Sequence, residues 1–417
     1  MMKKSIFAVA VASVLTLGAA QAETVLYGSI RYDYESKKVQ PMKSVHEEEG
    51  NAVTKRVKRL TSNRVSNLND AGSRIGLKGS EDLGNNNAVI YNLEWGFDGM
   101  VQDESNDSKW TTRKAILGLT GDWGTVTAGR QDNPFKVTIV DDSVTDEFNG
   151  GNVISSAAQR AMTTSLLAQG LSGEKLNDKG KLVEGSFVNT VDSAKFSRVG
   201  KVIAYTTPNF EGFQANAAVM MDDNLYPTNN RKNADLWTVN AQYAYDVTAD
   251  GQILAKLGYI QGKVAGAPSE GSKKDGIIVP NNNGRYSSKI WGLFLGYVSD
   301  ELRVTAAYAD GTHKVQDVAN ADYQNGQKQK SKGWDLGASY SFGPNYFSTV
   351  RAAYGENHVK VAGEKDKVKS WAVGFEQKLS TRTRAWVEYG ATETKFAGNN
   401  SDKQKDNVVS IGMRHDF

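Results

Sequence analysis

Along most of the chain, apolar and polar residues alternate one for one. A two-residue period sends successive side chains to opposite faces, so it predicts half-buried β-strands rather than helices. Thr24 to Glu35 is the first such run, with Leu26, Ile30, Tyr32 and Tyr34 on one face and Ser29, Arg31 and Asp33 on the other. A clearer one sets Val89, Tyr91, Leu93, Trp95 and Phe97 against Asn92, Glu94, Gly96 and Asp98. The last sets Val409, Ile411, Met413, His415 and Phe417 against Ser410, Gly412, Arg414 and Asp416. Sixteen strands are expected on this reading, five before residue 131 and eleven after residue 197.

The connections alternate in kind. Residues 82–86, 121–124, 208–212 and 343–345 make short turns, whereas 262–284 and 310–333 are long and polar. All seven prolines lie in connections, where no ladder hydrogen bond is lost. The apolar faces often begin or end in an aromatic residue, as in Trp291 and Tyr297 or Trp334 and Phe342. Short turns on one side, long loops on the other and aromatic girdles predict an all-β fold, a 16-stranded antiparallel transmembrane β-barrel. A soluble β-sandwich is the alternative, and it needs neither so many even strands nor polar inner faces. The fourth strand, 111–120, alternates poorly. Leu117 and Leu119 share parity with Arg113, which predicts apolar residues on the inner face beneath a packed loop. Residues 36–70 read as a polar loop. Its basic run, Lys55 to Arg59, is expected to be solvated, with contact to anionic lipopolysaccharide as the sharper reading.

The regular pattern breaks from Gln131 to Ser197. Four acids, Asp141, Asp142, Asp146 and Glu147, stand close together there, followed by Gly150-Gly151. A long irregular insertion in a regular β pattern is commonly functional. The expectation is that it folds into the barrel and narrows a pore. Asp141 to about Leu167 should lie in the lumen, with a short helix around Val153–Leu167, and Ala168–Lys195 should project outward. Arg31, Arg74, Arg113 and Arg198 come from the wall strands on either side of the insertion. If the insertion folds inward, its acids face these bases across a narrow gap, and such opposed charges tune ion passage.

Composition narrows the classes. Lys3-Lys4, an apolar run from Ile6 to Ala20 and Ala20-Gln21-Ala22 make a secretory signal peptide over residues 1–22, with cleavage expected after Ala22. The mature chain, 23–417, then has almost balanced bases and acids, so bulk attraction to nucleic acid is not implied. The chain has no cysteine, so stability without disulfides is required. A mean hydropathy of −0.50 and the lack of an apolar 18-residue run exclude spanning helices in the mature part but not a barrel, in which only every second residue faces lipid. No zincin histidine pair, nucleophile elbow or phosphate loop is present, and no cofactor or metal is implied. The acids 141–147 would suit a calcium site or paired catalytic carboxylates in principle. They lack EF-hand spacing, however, and a charged ring suffices.

Several motifs in order carry a family likeness. They are Leu26-Tyr27-Gly28, Ser73-Arg-Ile-Gly-Leu-Lys-Gly79 with Glu81-Asp-Leu-Gly84, Gly129-Arg130, Asp146-Glu-Phe-Asn-Gly150, Arg198 to Tyr205 and the terminal Phe417. Together they resemble the general porins of Gram-negative outer membranes. The resemblance implies a trimeric sixteen-stranded barrel whose third external loop folds inward, with wall arginines facing loop carboxylates. It assigns Arg74, Arg113 and Arg198 to the basic wall and Glu147 to the loop, with Asp142 beside it. Where the family commonly has a lysine after Tyr-Gly, this chain has Ser29, with Arg31 two residues on. Phe417 matches the family's assembly signal. The expected function is passive diffusion of ions and small hydrophilic solutes through an outer-membrane channel, not enzymatic catalysis. The expected partners are two further copies, outer-membrane lipid, lipopolysaccharide and the barrel assembly machinery. A solute-specific channel and a barrel adhesin or hydrolase are the alternatives. Few aromatics (Phe347 and Trp386) share the polar parity that a solute track would need.

Overall fold

The computed structural model describes residues 23–417 apart from 40–41, 50–51, 60–62, 102–109, 168–195, 222–235, 266–272, 275–276, 279–284, 317–327, 362–363 and 396–402. The expected leader and the stretch 168–195 lie outside the described residues. Sixteen wall strands follow one another. They are β1 (Glu23–Val39), β2 (Asn63–Asp70 continued by Arg74–Gly84), β3 (Asn87–Phe97), β4 (Trp110–Gly121) and β5 (Gly124–Asp132). After the insertion come β6 (Arg198–Thr206), β7 (Phe213–Met220), β8 (Leu236–Asp246), β9 (Gln252–Ala265), β10 (Arg285–Val298) and β11 (Leu302–Gln316). The chain ends with β12 (Lys328–Phe342), β13 (Ser348–Val361), β14 (Glu364–Lys378), β15 (Thr383–Lys395) and β16 (Lys403–Asp416).

Each strand pairs antiparallel with the next, and β16 returns to β1 from Ser29↔Asp416 to Lys38↔Asn407. Gly28 and Phe417 exchange backbone hydrogen bonds of 3.2 and 3.1 Å at the seam. A Cβ at Gly28 would meet the Phe417 ring at 2.6 Å, so only glycine lets the terminal ring lie there. Closure removes every free wall edge, which a hydrocarbon environment demands. The strand count and its division around the insertion agree with the alternation.

The apolar parity is exposed, as a lipid-facing band requires: Leu257, Leu293, Leu336, Val373, Val387 and Ile411 all point outward. The polar parity is buried, with Asn92, Lys256, Asp335, Arg351 and Glu388 among its residues.

Two expectations fail for physical reasons. Residues 36–70 are not one loop: Ser36–Val39 and Asn63–Asp70 extend the wall by pairing with each other, and Met42–Glu49 pairs with Ala52–Arg59 as a separate hairpin. Residues 63–70 hold two large apolar side chains, Val65 and Leu68, on opposite parities, so the pattern gave no signal. In β4, Leu117 and Leu119 are 62% and 47% exposed on the outer face, not packed inside. The register shifts between Glu94↔Lys114 and Trp95↔Thr112, which leaves Arg113 as the extra residue of a bulge. One inserted residue flips parity, so Arg113 and the leucines share numerical parity without sharing a face.

Candidate pore-lining site

Leaving β5, the chain turns at once into helix α1 (Pro134–Ile139). Asn133 caps it by accepting from Phe135 N, and Pro134 occupies the first turn, where its missing N–H costs nothing. A 3-10 turn follows at Val144–Glu147, then helix α2 (Ala157–Leu167). The helix expected at 153–167 is present but starts at Ala157. Ser156 ends the extended part by accepting from Gln159 N at 3.1 Å, the work of an N-cap.

This segment lies against the buried, polar-parity face of the wall. Phe135, Ile139, Met162 and Leu166 pack with Ile260, Ile290 and Phe294 in one buried cluster. Burying each such side chain contributes about 1.5–3 kcal/mol. Wall glycines make the room: a Cβ at Gly333 would come within 1.8 Å of Ala157 O, and one at Gly390 within 1.8 Å of Val153 O.

Charged wall residues fix the same segment by hydrogen bonds. Asp335 on β12 accepts from Ala157 N at 2.8 Å, Ala158 N at 2.9 Å and Ser156 Oγ at 2.6 Å. A carboxylate there satisfies orphan N–H groups of α2 and opposes the positive end of its dipole. Further along, Glu388 on β15 accepts from Asn149 N at 2.9 Å and Gly150 N at 2.8 Å. Arg351 on β13 reaches Glu376 at 3.1 Å and Glu388 at 3.3 Å, and donates to Glu147 O at 2.7 Å. Asn152 donates to Glu35 on β1 at 2.8 Å, which carries the segment across to the first strand.

The four acids of the segment are engaged with cations close by. Asp141 pairs with Lys136, which lies 3.7 Å from Asp146. Asp142 pairs with Lys256 of β9. Glu147 pairs with Arg303 of β11 at 3.0 Å. Burial pushes the Asp146 carboxyl up to about 6 against the pull of Lys136. Burial also opposes the Lys136 charge, but Asp141 and Asp146 together outweigh it and hold that ammonium above its ordinary value.

The four arginines sit elsewhere on the wall. Arg31 donates to Ser29 Oγ at 2.9 Å. Glu94 lies between Arg113, at 2.6 Å, and Arg74, at 4.0 Å. Arg198 is 3.3 Å from Asp132, which Lys114 also meets at 2.6 Å. Arg31, Arg74, Arg113 and Arg414 are near enough to repel one another. Bulges accompany this group. Besides the one at Arg113, the β1/β2 ladder slips a residue between Ser29↔Arg74 and Tyr32↔Asp70, where Gly72 has φ +99° and the Asp70 carboxylate accepts from Gly72 N and Ser73 N. The β5/β6 ladder slips between Gly129↔Val202 and Gln131↔Val199.

A closed sixteen-stranded barrel with an apolar outside and a charged, polar inside invites comparison with known barrels. The family model described as Gram-negative porin matches residues 8–416. The chain belongs to the Gram-negative porin family. Curated porin relatives include the major outer membrane protein P.IB of Neisseria gonorrhoeae, 26% identical with all of both chains covered. The major outer membrane protein P.IA of Neisseria meningitidis serogroup A is 27% identical over 96% of each chain. Among solved structures, the anion-selective porin from Comamonas acidovorans aligns with a TM-score of 0.59 at 19% identity, covering 95% of this chain and all of that one. A trimer form of OmpT from Vibrio cholerae aligns at 0.58 with 12% identity, covering 95% of this chain and 100% of that one. At such identities these structures speak for the fold alone. Family membership makes the protein an outer-membrane diffusion channel and not an enzyme.

In this porin the sequence reading missed the residues that hold the segment: Lys256, Arg303, Asp335, Arg351, Glu376 and Glu388. Their signal was there, as charged residues at polar-parity positions of otherwise regular strands. It also missed Glu94 and Asp132, which sit among the arginines. Phe294 and Tyr27 join Phe347 and Trp386 as aromatics on the polar parity; Phe294 is fully buried under the segment, and Tyr27 donates its hydroxyl to Asn92 Oδ1 at 2.8 Å. Two apolar neighbours in sequence, such as Ile290-Trp291, mark strands whose inner face is covered.

Proposed function

We propose that residues 134–167 form the constriction of this channel, lying within the lumen against β7–β15 and facing Arg31, Arg74, Arg113 and Arg198 across the remaining water. The docking of α1, the 3-10 turn and α2 on buried polar-parity side chains carries the reading, because a closed barrel has its polar parity inside. Asp141, Asp142, Asp146 and Glu147 supply the loop-side charges and the arginines the wall-side charges. Lys136, Lys256 and Arg303 offset the acids, and Glu94 and Asp132 offset the arginines, so each side presents less than its formal charge. The resulting transverse field acts on ions and small hydrophilic solutes that diffuse passively, while the width of the gap sets the size limit. The channel works as a homotrimer in the outer membrane, in contact with lipid and lipopolysaccharide. Phe417 serves as the signal read by the barrel assembly machinery, and the leader is removed after Ala22.

Purified protein in planar bilayers tests the reading. Stepwise conductance is expected, with a reversal potential in a salt gradient that shifts in Glu147→Gln and in Arg74→Ala. Conductance with unchanged reversal potentials in both variants would remove those residues from the constriction.

A further inference from the structure

Of the aromatics on the polar parity, Phe294, Trp386 and Phe347 are all withdrawn from the open wall. Phe294 is fully buried under the segment. Trp386 is buried and donates to Ser410, against which Gly150 packs. Phe347 closes the 3-10 turn that follows β12. Tyr27 of β1 differs. It is half-buried and stands on the bulged wall, among the arginines rather than under the docked segment.

The Tyr27 ring lies flat against that wall. Tyr27 pairs with Gly76 of β2, and a Cβ on Gly76 would come within 2.5 Å of Tyr27 Cζ and 2.7 Å of Cε1. The ring thus occupies the space that a side chain at Gly76 would need, and it covers that backbone. Its hydroxyl donates to Asn92 Oδ1 at 2.8 Å and reaches Glu94 Oε2 at 3.1 Å. Both acceptors belong to β3, so the side chain spans β2 and is anchored at each end. One ring face rests on backbone and the other is turned to the water path.

Cations stand beside the open face. Arg74 is the diagonal neighbour of Tyr27, because Ser29 pairs with Arg74 and Tyr27 with Gly76. The Arg74 side chain keeps 28% of its surface, and its Nε lies 4.0 Å from Glu94, which is 5% exposed. Lys78 places its ammonium 5.4 Å from the ring centre. Glu94 therefore fixes the ring and the guanidinium from behind while presenting little charge of its own to the water.

We infer that Tyr27, with Arg74 and Lys78 beside it, is a subsite for aromatic carboxylates: a planar ring stacks on the phenol while its carboxylate meets Arg74. Such a subsite presupposes the channel reading, in which Arg74 faces the water path. A ring already locked in place stacks without a further ordering cost. The guanidinium–carboxylate hydrogen bond then sets the orientation of the bound ion. Diagonal neighbours on one sheet face lie about 7–8 Å apart, a span that a benzoate-sized ion bridges. An aliphatic acid of the same size meets the same arginine but gains no stack.

The test uses the whole folded channel in a planar bilayer, in dilute potassium chloride so that screening does not hide the charge. Potassium benzoate and potassium cyclohexanecarboxylate, alike in charge and size, are added separately at constant ionic strength. The concentration that halves the conductance is read for each. Benzoate should reach half-block at a concentration about threefold lower than cyclohexanecarboxylate. Tyr27→Leu should erase that difference by raising the benzoate value alone, Tyr27→Phe should keep it, and Arg74→Gln should raise both values alike. If Tyr27→Leu does not fold, the wild-type pair and Arg74→Gln decide. Equal half-block by the two anions in wild type, or a benzoate value unmoved in Tyr27→Leu, would overturn the inference and leave the channel reading standing. Folded protein without any conductance would overturn both.

Discussion

From β7 to β16 each described ladder keeps one register, whereas the wall from β1 to β6 slips by one residue in four places, three beside the arginines and one at the short turn after Asp82. The regular wall carries the docked segment, held by Asp335, Arg351 and Glu388 and cushioned by glycines. The bulged wall carries Arg31, Arg74, Arg113 and Arg198. A regular ladder gives a flat, evenly spaced platform on which two short helices seat. A bulge breaks the spacing, bends the strand and re-aims side chains. The same sheet thus serves as a mount on one side and as a set of directed charges on the other. The difference is also one of burial. Arg351, Glu376 and Glu388 keep 6%, 4% and 0% of their side-chain surface, against 28% for Arg74 and 26% for Arg198.

Burial orders the expected effects. Arg351→Ala should be the most damaging, because it leaves Glu376 and Glu388 buried without their shared cation. Losing one partner of a buried pair costs about 3–5 kcal/mol. Thermal unfolding should show this loss, and single-channel records should become noisy as residues 147–150 come loose. Gly333→Leu comes next. Its side chain overlaps the Ala157 backbone, and overpacking costs about 1–3 kcal/mol. Liposome swelling should then admit larger sugars while the barrel stays folded.

Changes on the bulged wall should act the other way round, on selectivity more than stability. Arg74→Ala should alter stability by no more than about 1 kcal/mol, since partly exposed pairs are worth little. It should nonetheless shift the reversal potential toward cations. Acid provides a milder probe of the loop side. The folded-state pKa of Asp146, about 6, lies above the ordinary aspartate value of 3.8. The native state therefore holds this proton more tightly than the unfolded chain. Its contribution to stability is present below about pH 4 and is lost as pH rises through about 6. Protonation also removes a loop charge. Cation preference should fall between pH 7 and pH 5, and Asp146→Asn should flatten that change.

The barrel was readable because alternation is written into every lipid-crossing strand: Leu336, Trp334 and Tyr340 report one face without knowledge of their partners. What escaped has a common cause. The bulge at Arg113 inverts parity inside one strand, so Leu117 and Leu119 looked inward. The strand 63–70 has two large apolar residues, Val65 and Leu68, on opposite parities, so it displayed no apolar face. At the site, the four acids and four arginines stood out as clusters. The residues that hold the loop did not, because Asp335, Arg351 and Glu388 are far apart in sequence and meet residues 147–158 only through closure of the barrel. Helix α1 was not anticipated: Asn133-Pro134 makes a cap followed by a first-turn proline, but six residues leave little periodicity to read.

The central claim is that residues 134–167 narrow the water path between the two walls. The chain has no cysteine, so a single introduced thiol is addressed alone. Glu147→Cys should therefore be reacted with a bulky methanethiosulfonate in a planar bilayer while current is recorded. The account predicts that single-channel conductance falls by at least half on modification and recovers on reduction. Complete labelling with unchanged conductance would contradict it.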